Sequence, residues 1–414
     1  MSKTVLMVAY YFPPLGMGGV QRMAKLAKYL PRFGYDVRVL TVKPIRYPAY
    51  DPSLLDELPA PVEIFRSGSR DPARISRFLP LPIHVSASAK TFAKQKGNLF
   101  WPDAKAGWSR PATRMAAEIA ASEKIDLVLS SSPPITAHLI AMKIKKRFHL
   151  PWVADFRDFW ESRPPEDVYR DQERIDKSYR LLDDIAAAAD AVTRVNNAIM
   201  RGRTDNAVTI MGGYDPDDFE NLPGPEKDEY FTLCFLGTAG LLTPIEPFFA
   251  AARRLLENDS TLDRQARFVI VGANDANEIA RTAARYGLAD RVEQTGYLPH
   301  RQALRKASQA AVLLISLERR SGGILPGRVF DCLALPAPIL AAVPTDGEAA
   351  RLISSHNGGI CVDPDDIERL GGEMIKLYRL HQNSTVWEKR GLSSFTRLDA
   401  ARQFAAVFDE LISR

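Results

Sequence analysis

The stretch TVLMVAYYFPPLGMGGV at residues 4–20 joins a short apolar run to a glycine-rich turn. The run over 4–12 predicts a buried strand, and a helical pattern follows at once over 19–33. Such a turn lets backbone N–H groups approach an oxyanion, and the N-terminus of the helix adds partial positive charge at the same point. Gly18 and Gly19 are therefore candidate anion-binding residues; the alternative is a turn that binds nothing.

The spacing of these glycines argues against a nicotinamide cofactor. It does not follow the pattern G-x-G-x-x-G, and no acidic residue stands at the end of the second predicted strand, near residue 42. A dehydrogenase is therefore the least favoured enzyme class for this chain.

Short β-branched or aliphatic runs alternate with helical patterns along the chain. Many of these runs are apolar on both faces, which is typical of a parallel sheet covered by helices on both sides. The alternation predicts an α/β fold with two Rossmann-like, doubly wound domains. The predicted strands of the first half are 4–12, 36–42, 62–67, 125–132, 151–156, 191–196 and 207–211, and its helices are 19–33, 107–122, 134–148 and 170–189. The predicted strands of the second half are 231–237, 267–272, 292–297, 311–316, 339–343 and 359–362.

A segment rich in glycine, proline and acidic residues, 211–228, separates the two series of strands and reads as an interdomain linker. This predicts an N-terminal domain over 1–210 and a C-terminal domain over 229–384. The remaining segment, 385–414, has an aromatic and aliphatic stripe at helical spacing. We expect it to cross back and pack on the N-terminal domain.

Composition narrows the class of protein. The chain has 414 residues, 46% of them hydrophobic and 25% charged, with a formal net charge of +5. These values are ordinary for a globular protein, and no run of Lys and Arg is dense enough to indicate nucleic-acid binding. The three cysteines have no metal-ligand spacing and indicate a reducing compartment. No run has transmembrane length and no signal-peptide cleavage pattern is present, so we expect a cytoplasmic protein.

The first predicted helix carries four cationic side chains along one flank. They are Arg22, Lys25, Lys28 and Arg32. A flank of this kind is usually just solvated. The alternative is peripheral contact with an anionic membrane, at its inner face, or with a lipid-linked acceptor.

Four blocks in the right order resemble retaining glycosyltransferases of family 4, which have the GT-B fold. The first is the opening over 10–22, and the second joins 130–138 to 152–160. The third leads from 189–195 to 212–219, and the fourth is LPGRVFDCLA over 325–334. The resemblance extends over nearly the whole chain. It implies two Rossmann-like domains that face each other across a cleft.

The resemblance also implies an activity. A sugar would pass, with retention of configuration, from a UDP- or GDP-type sugar donor in the C-terminal domain to an acceptor in the N-terminal domain. The acceptor would be a glycan, a lipid-linked sugar or a polysaccharide or lipopolysaccharide precursor. No obligatory metal and no cofactor besides the nucleotide-sugar co-substrate are implied. Two alternatives remain: a nucleotide-sugar epimerase or hydrolase on the same fold, and a non-catalytic sugar-nucleotide-binding protein.

Arg328 and Asp331 are the central donor-site candidates. Without a metal, a cationic side chain and a helix N-terminus must stabilise the leaving diphosphate, and Arg328 begins a predicted helix. Asp331 lies one turn further, where its carboxylate could accept both ribose hydroxyls; the alternative is a surface ion pair between the two. The resemblance adds the donor-binding candidates Gly18, Gly19, Gly237, Thr238, Tyr297, Leu298, Gly323, Ile324 and Leu325.

On the acceptor side, four residues are candidate catalytic groups alongside Arg328. Asp155, Arg157 and Asp158 end a predicted parallel strand, where ligands usually gather. His138, just inside a helix, could hydrogen-bond a sugar hydroxyl. The alternatives are a structural Arg–carboxylate cluster and a structural histidine.

Three positions depart from the family pattern. A glutamate usually stands eight residues before the ribose carboxylate, but here that position is Gly323, and Glu318 is the nearest acidic residue. The ribose carboxylate is usually a glutamate, whereas Asp331 is shorter. The segment after the first C-terminal strand, 237–244, lacks the usual Arg and Lys. The identity of the sugar stays open.

Overall fold

The computed structural model describes residues 2–78, 100–160, 164–200, 207–224, 230–240, 242–256, 260–272 and 274–414. These residues form two compact units. The first contains the chain up to 212 together with 397–414, and the second contains 213–396.

The first unit is built on a seven-stranded parallel sheet. Its order is β3-β2-β1-β4-β5-β6-β7. Alternate residues of β1 enter two different apolar clusters: Leu6 and Val8 pack on one face of the sheet, and Val5 and Met7 pack on the other. The strands are β1 Lys3–Val8, β2 Tyr35–Val42, β3 Val62–Ser67, β4 Leu127–Ser132, β5 Trp152–Phe156, β6 Ala191–Arg194 and β7 Val208–Thr209.

The second unit repeats the architecture with a six-stranded parallel sheet. Its order is β10-β9-β8-β11-β12-β13. The strands are β8 Phe231–Leu236, β9 Ala266–Val271, β10 Val292–Gly296, β11 Val312–Ser316, β12 Ile339–Ala342 and β13 Gly359–Val362. The prediction of an α/β fold with two Rossmann-like domains is therefore confirmed.

Helices connect the parallel strands in both units. Those of the first unit are α1 Gly18–Tyr29, α2 Ser53–Asp56, α3 Pro72–Ile75, α4 Ser109–Ser122, α5 Thr136–Phe148, α6 Pro165–Val168 and α7 Gln172–Ala188. Those of the second unit are α8 Glu246–Leu256, α9 Ser260–Gln265, α10 Ala276–Arg285, α11 His300–Ser308, α12 Arg328–Ala334, α13 Glu348–Ser355 and α14 Ile367–Gln382. None of the helices in the described part of the chain is both long and apolar enough to cross a bilayer.

Each sheet reverses its strand order at one point, between β1 and β4 in the first unit and between β8 and β11 in the second. In open α/β sheets, ligands bind beyond the carboxyl ends of the two strands that flank this reversal. We therefore expect ligand-binding residues in the loops that follow β1, β4, β8 and β11.

The last helix, α15, spans Arg397–Ile412 and belongs to the first unit. Its Phe404 and Phe408 are buried in the cluster formed with α1 and β2. The predicted terminal segment began at 385, but residues 385–396 belong to the second unit, where Lys389 and Trp387 bond to backbone carbonyls. The linker predicted over 211–228 likewise divides, because the boundary between the units falls after residue 212.

We predict that Phe408→Ala lowers the free energy of unfolding of the first unit by about 3 kcal/mol, because it leaves a cavity under α15. Phe408 has no exposed surface and meets the Tyr35 ring edge-on, with ring centroids 5.4 Å apart. Urea unfolding followed by the fluorescence of the buried Trp108 and Trp152 measures the change. Phe78→Ala is the control, because Phe78 is 71% exposed; equal effects of the two changes would contradict the packing described.

Candidate functional site

In the second unit, Arg328 lies at the point where the strand order reverses. It is the first residue of α12, and its guanidinium reaches the loops that follow both β8 and β11. Nη1 lies 3.5 Å from the carbonyl oxygen of Thr238, and Nη2 lies 3.4 Å from that of Ser316. The guanidinium carbon lies 5.0 Å from the centroid of the Phe235 ring. The sequence-based position for Arg328 therefore coincides with the expected ligand edge.

The positive charge of Arg328 has no counter-ion of its own. Among the described residues, no carboxylate forms an ion pair with it, its Nε has no hydrogen-bond partner, and its two carbonyl contacts are long. Burial lowers its pKa to about 10. A partly buried cation held only by weak backbone contacts is costly unless an anion compensates it.

Gly237 makes room for this guanidinium. Its φ is +113°, a conformation that disfavours other residues, and a Cβ there would lie 2.7 Å from Nη1 of Arg328. Gly237 and Thr238 therefore line the same edge as Arg328, as predicted for the donor site. Gly323, Ile324 and Leu325 form a half-buried turn ahead of α12, and Tyr297 and Leu298 are half-buried in the loop after β10.

Arg328 and Asp331 do not form the ion pair that sequence left as an alternative. The Asp331 carboxylate instead faces His300, the first residue of α11, at 3.9 Å from Nε2 to Oδ1. The same Nε2 lies 3.5 Å from Oδ2 of Asp218. Sequence reasoning missed His300, although its place directly after the predicted base-binding loop 297–298 was a signal.

Lys389 holds the C-terminal end of α12. Its Nζ donates to the carbonyl oxygens of Cys332 at 2.7 Å and Leu335 at 2.6 Å. Cations stabilise helix C-termini, where the carbonyl groups lack partners in the helix. Burial lowers the pKa of Lys389 to about 7.

In the first unit, Asp155 is engaged by Arg22 on both oxygens. Arg22 Nε donates to Oδ2 at 3.0 Å and Nη2 donates to Oδ1 at 2.8 Å, while Ser131 and Thr193 each donate a further bond at 2.8 Å. Burial alone would raise the pKa of Asp155, but the charge of Arg22 and these bonds outweigh it and lower the pKa. Asp155 has no exposed surface and no free hydrogen-bonding capacity, so its geometry fits the structural alternative.

The same contacts correct the interpretation of the basic flank. Arg22 and Lys25 are buried, at 7% and 2% exposure, and Lys25 Nζ pairs with Glu57 at 2.6 Å. Lys28 reaches the same carboxylate at 3.3 Å. Neither a solvated flank nor a membrane contact fits Arg22 and Lys25, because both are buried against carboxylates that the helical spacing of cations does not reveal.

Arg157 lies beside the glycine-rich turn. A Cβ on Gly19 would be 3.8 Å from both of its terminal guanidinium nitrogens, and Nη2 donates to the carbonyl oxygen of Pro133 at 2.7 Å. Burial lowers its pKa, and it forms no ion pair with a carboxylate in the described ranges. Asp158, next in the chain, accepts a bond from the backbone N–H of Phe159. The structure thus places Arg157 beside Gly19 in the first turn of α1, whereas a Cβ on Gly18 would meet nothing within 4 Å.

His138 is fully buried beneath the ligand edge. Its Nδ1 lies 2.7 Å from Oγ of Ser130, and its ring packs on Phe156 with centroids 4.5 Å apart. Burial, opposed by the charge of Asp155, lowers its pKa to about 3, so the ring is neutral at ordinary pH. Its Nε2 has no partner among the described residues. A role for His138 in catalysis stays a prediction.

We predict that Asp155→Asn lowers the stability of the first unit by about 3 to 5 kcal/mol at pH 7, because the Arg22 charge stays buried without its partner. The folded-state pKa of Asp155 is depressed, so the pair stabilises the fold above the ordinary value of 3.8 and loses this effect as the pH falls below it. Urea unfolding from pH 7 to pH 3 should show a steeper loss in the wild type than in the variant. Asp176→Asn, at an exposed position, is the control; parallel pH profiles for Asp155→Asn and wild type would contradict the assignment.

We predict that Lys389→Met changes how stability depends on pH between 7 and 10. The pKa of Lys389 is lowered in the folded state, so the unfolded chain binds this proton more tightly, and wild-type stability gains from this group as the pH rises. The difference in melting temperature, wild type minus variant, should therefore increase towards pH 10. Lys376→Met, which removes an exposed lysine paired with Glu373, should leave that difference constant. A constant difference for Lys389→Met as well would contradict the lowered pKa.

Comparisons with known proteins agree with this geometry. The family described as "Glycosyl transferases group 1" matches residues 231–379. Sucrose-phosphate synthase from Thermosynechococcus elongatus superposes with a TM-score of 0.68 at 15% identity, over 99% of each chain. Anabaena HepE in complex with UDP and glucose gives 0.65 at 16% identity, over 99% of this chain and 100% of that one.

A third structure is WaaG, a glycosyltransferase involved in lipopolysaccharide biosynthesis, with a TM-score of 0.59 at 12% identity over 99% of this chain and 97% of that one. No curated protein sequence matches the chain significantly. Residues 231–379 thus coincide with the second Rossmann-like unit that holds Arg328 and Asp331. The chain therefore has the GT-B fold, and within its second unit residues 231–379 are similar to group 1 glycosyltransferases.

Proposed function

We propose that this protein transfers a sugar, with retention of configuration, from a UDP- or GDP-type donor to a glycan, lipid-linked or polysaccharide-precursor acceptor. The observation that carries the proposal is the guanidinium of Arg328, which lies at the expected ligand edge of the second sheet and has no counter-ion among the residues that the structure describes. A nucleoside diphosphate supplies the missing negative charge. Charge-assisted bonds from Arg to phosphate are strong and tighten as the diphosphate leaves.

The other donor candidates surround Arg328 in the second unit. Gly237 and Thr238 border the guanidinium, and Asp331 lies one turn along the same helix. We assign the diphosphate to Arg328 and the ribose to Asp331, with Tyr297 and Leu298 beside the base. HepE was solved with UDP, which favours a UDP-type donor for this chain.

We assign the acceptor to the first unit. Arg157 lies beside Gly19 at the N-terminus of α1, where N–H groups and a guanidinium suit an anionic or hydroxyl-rich group. Asp155 supports this edge through Arg22 without touching the acceptor. The involvement of WaaG in lipopolysaccharide biosynthesis supports a surface-glycan acceptor.

The reaction we propose is an attack from the face on which the diphosphate leaves. The acceptor oxygen bonds to the anomeric carbon, the bond from that carbon to the diphosphate oxygen breaks, and the hydroxyl proton passes to the departing diphosphate. Arg328 stabilises the charge that develops, so no metal is required by this scheme. The three free cysteines, two of them buried, favour a reducing compartment, and we place the activity in the cytoplasm.

Gly323 motivates a second candidate function. The family's glutamate for donor-sugar hydroxyls is absent at this position, so a protein that binds sugar nucleotides without transferring the sugar is the main alternative. Calorimetry with UDP, GDP and their sugars, followed by product analysis with and without an acceptor panel, separates the candidates. Anomeric configuration in the product is read by NMR. Donor breakdown without acceptor indicates a hydrolase, and conversion of the donor sugar indicates an epimerase.

We predict that Arg328→Ala weakens nucleoside-diphosphate binding about tenfold or more and lowers kcat by about 10²-fold to 10³-fold. Arg328→Lys should recover only part of the loss, because a lysine lacks the planar fork of donors. Arg319→Ala is the matched control, since Arg319 is an exposed arginine of the same unit paired with Asp363 and Asp365. Wild-type binding and turnover in Arg328→Ala would refute the assignment.

A further inference from the structure

An imidazole stands between two carboxylates beside the donor site of the second unit. Nε2 of His300 lies 3.5 Å from Oδ2 of Asp218 and 3.9 Å from Oδ1 of Asp331. The three side chains are largely buried, with exposures of 19%, 2% and 13% in that order. Among the described residues, His300 is the sole basic side chain within ion-pair distance of Asp331.

Three elements meet at this imidazole. His300 begins α11, which is anchored by the buried Ala303, Leu304 and Ala307. Asp218 lies in the short 3-10 helix Pro216–Phe219, which α11 also holds through a bond of 3.0 Å from Arg301 Nη2 to the carbonyl oxygen of Asp217. Asp331 lies in the first turn of α12. His300 is therefore fixed on its own helix, and its orientation does not depend on Asp331.

A carboxylate that accepts hydrogen bonds from two vicinal hydroxyls must present its oxygens in one orientation. Asp331 has a shorter side chain than a glutamate, so a small rotation would move its oxygens out of reach. Its Oδ1 lies 3.9 Å from Nε2 of His300, and restraint by this neighbouring polar side chain lowers the entropy that ligand binding would otherwise lose. Asp218, which is more deeply buried, lies 3.5 Å from the same Nε2 and keeps the imidazole near Asp331.

We propose that His300 is a positioning residue for the donor ribose. It links Asp218 to Asp331 and holds the Asp331 carboxylate ready to accept bonds from the ribose hydroxyls. This inference rests on the proposed function, because it needs a nucleotide in the second unit. Its consequence is specific: His300 contributes to binding only when the ligand carries the ribose hydroxyls.

The test measures, by calorimetry, the affinities for UDP and for 2′,3′-dideoxy-UDP in the full chain, or for the GDP pair if GDP binds more tightly. We expect the wild type to bind UDP more tightly than the dideoxy ligand by about tenfold or more, and this ratio is the hydroxyl preference. Asp331→Asn should reduce this preference to about twofold or less, and His300→Leu should reduce it to about threefold. His300→Gln, whose amide places a donor near the position of Nε2, should recover part of the preference. The dideoxy ligand should bind all four proteins within about twofold.

His381→Leu is the matched control, because His381 lies in the last turn of α14 of the same unit, against Phe231. It should keep the wild-type preference. Asp218→Asn serves as a second probe of the same link if His300→Leu does not fold, and it should also lower the preference. Circular dichroism and melting temperature establish folding for each variant.

The possible outcomes distinguish a failure of this inference from a failure of the proposed function. An equal loss of affinity for both ligands in His300→Leu means a general structural role and overturns the inference. A wild-type preference in both His300→Leu and Asp218→Asn overturns it as well. If Asp331→Asn keeps the preference, the ribose assignment within the proposed function fails first. If the wild type binds no nucleotide, the proposed function fails, and the inference fails with it.

Discussion

The second unit keeps the positive charge of Arg328 at the carboxyl edge of its sheet, and none of the carboxylates that the structure describes balances it. Arg22 in the first unit shows what a compensated arginine looks like in the same protein. Its guanidinium binds both oxygens of Asp155, donates to two backbone carbonyls and lies 5.2 Å from the Phe404 ring. A buried cation with its partner stabilises a fold, whereas one without a partner is an electrostatic cost that a bound anion can remove. The contacts of Arg22 thus fit a structural role, whereas those of Arg328 leave its charge available to a bound anion.

The two units use the same topology in related ways. In each, the strand order reverses beside the first strand, and a glycine between that strand and the next lies near an arginine from a later segment of the chain. Gly19 lies beside Arg157 and Gly237 lies beside Arg328. Only at Gly237 would a Cβ collide with the guanidinium, so only there does the arginine's position require glycine. The repeated arrangement places a glycine beside an arginine in both units.

The sequence predicted the strands well because parallel strands buried on both faces are nearly continuous apolar runs, as in Val5–Val8 and Val312–Ile315. It predicted that a helix begins at Arg328, because proline and glycine precede this residue. It could not predict the pairing of Arg22 with Asp155, 133 positions away, since helical spacing shows which residues share a face but not what that face meets. His300 was missed for the same reason: Asp218, His300 and Asp331 come from three separate segments, and none is unusual by itself.

The orientation of α12, which carries Arg328 and Asp331, depends on residues outside this helix. α12 has seven residues, too few for an isolated helix to be stable in water, so its direction must come from tertiary contacts. Val329, Phe330, Cys332 and Leu333 bury one side of it, and Lys389 holds its C-terminal end. At the other end, Asp331 faces His300. The directions in which Arg328 and Asp331 point therefore depend on contacts made outside the helix, and residues that never touch a ligand decide how well those two side chains can bind one.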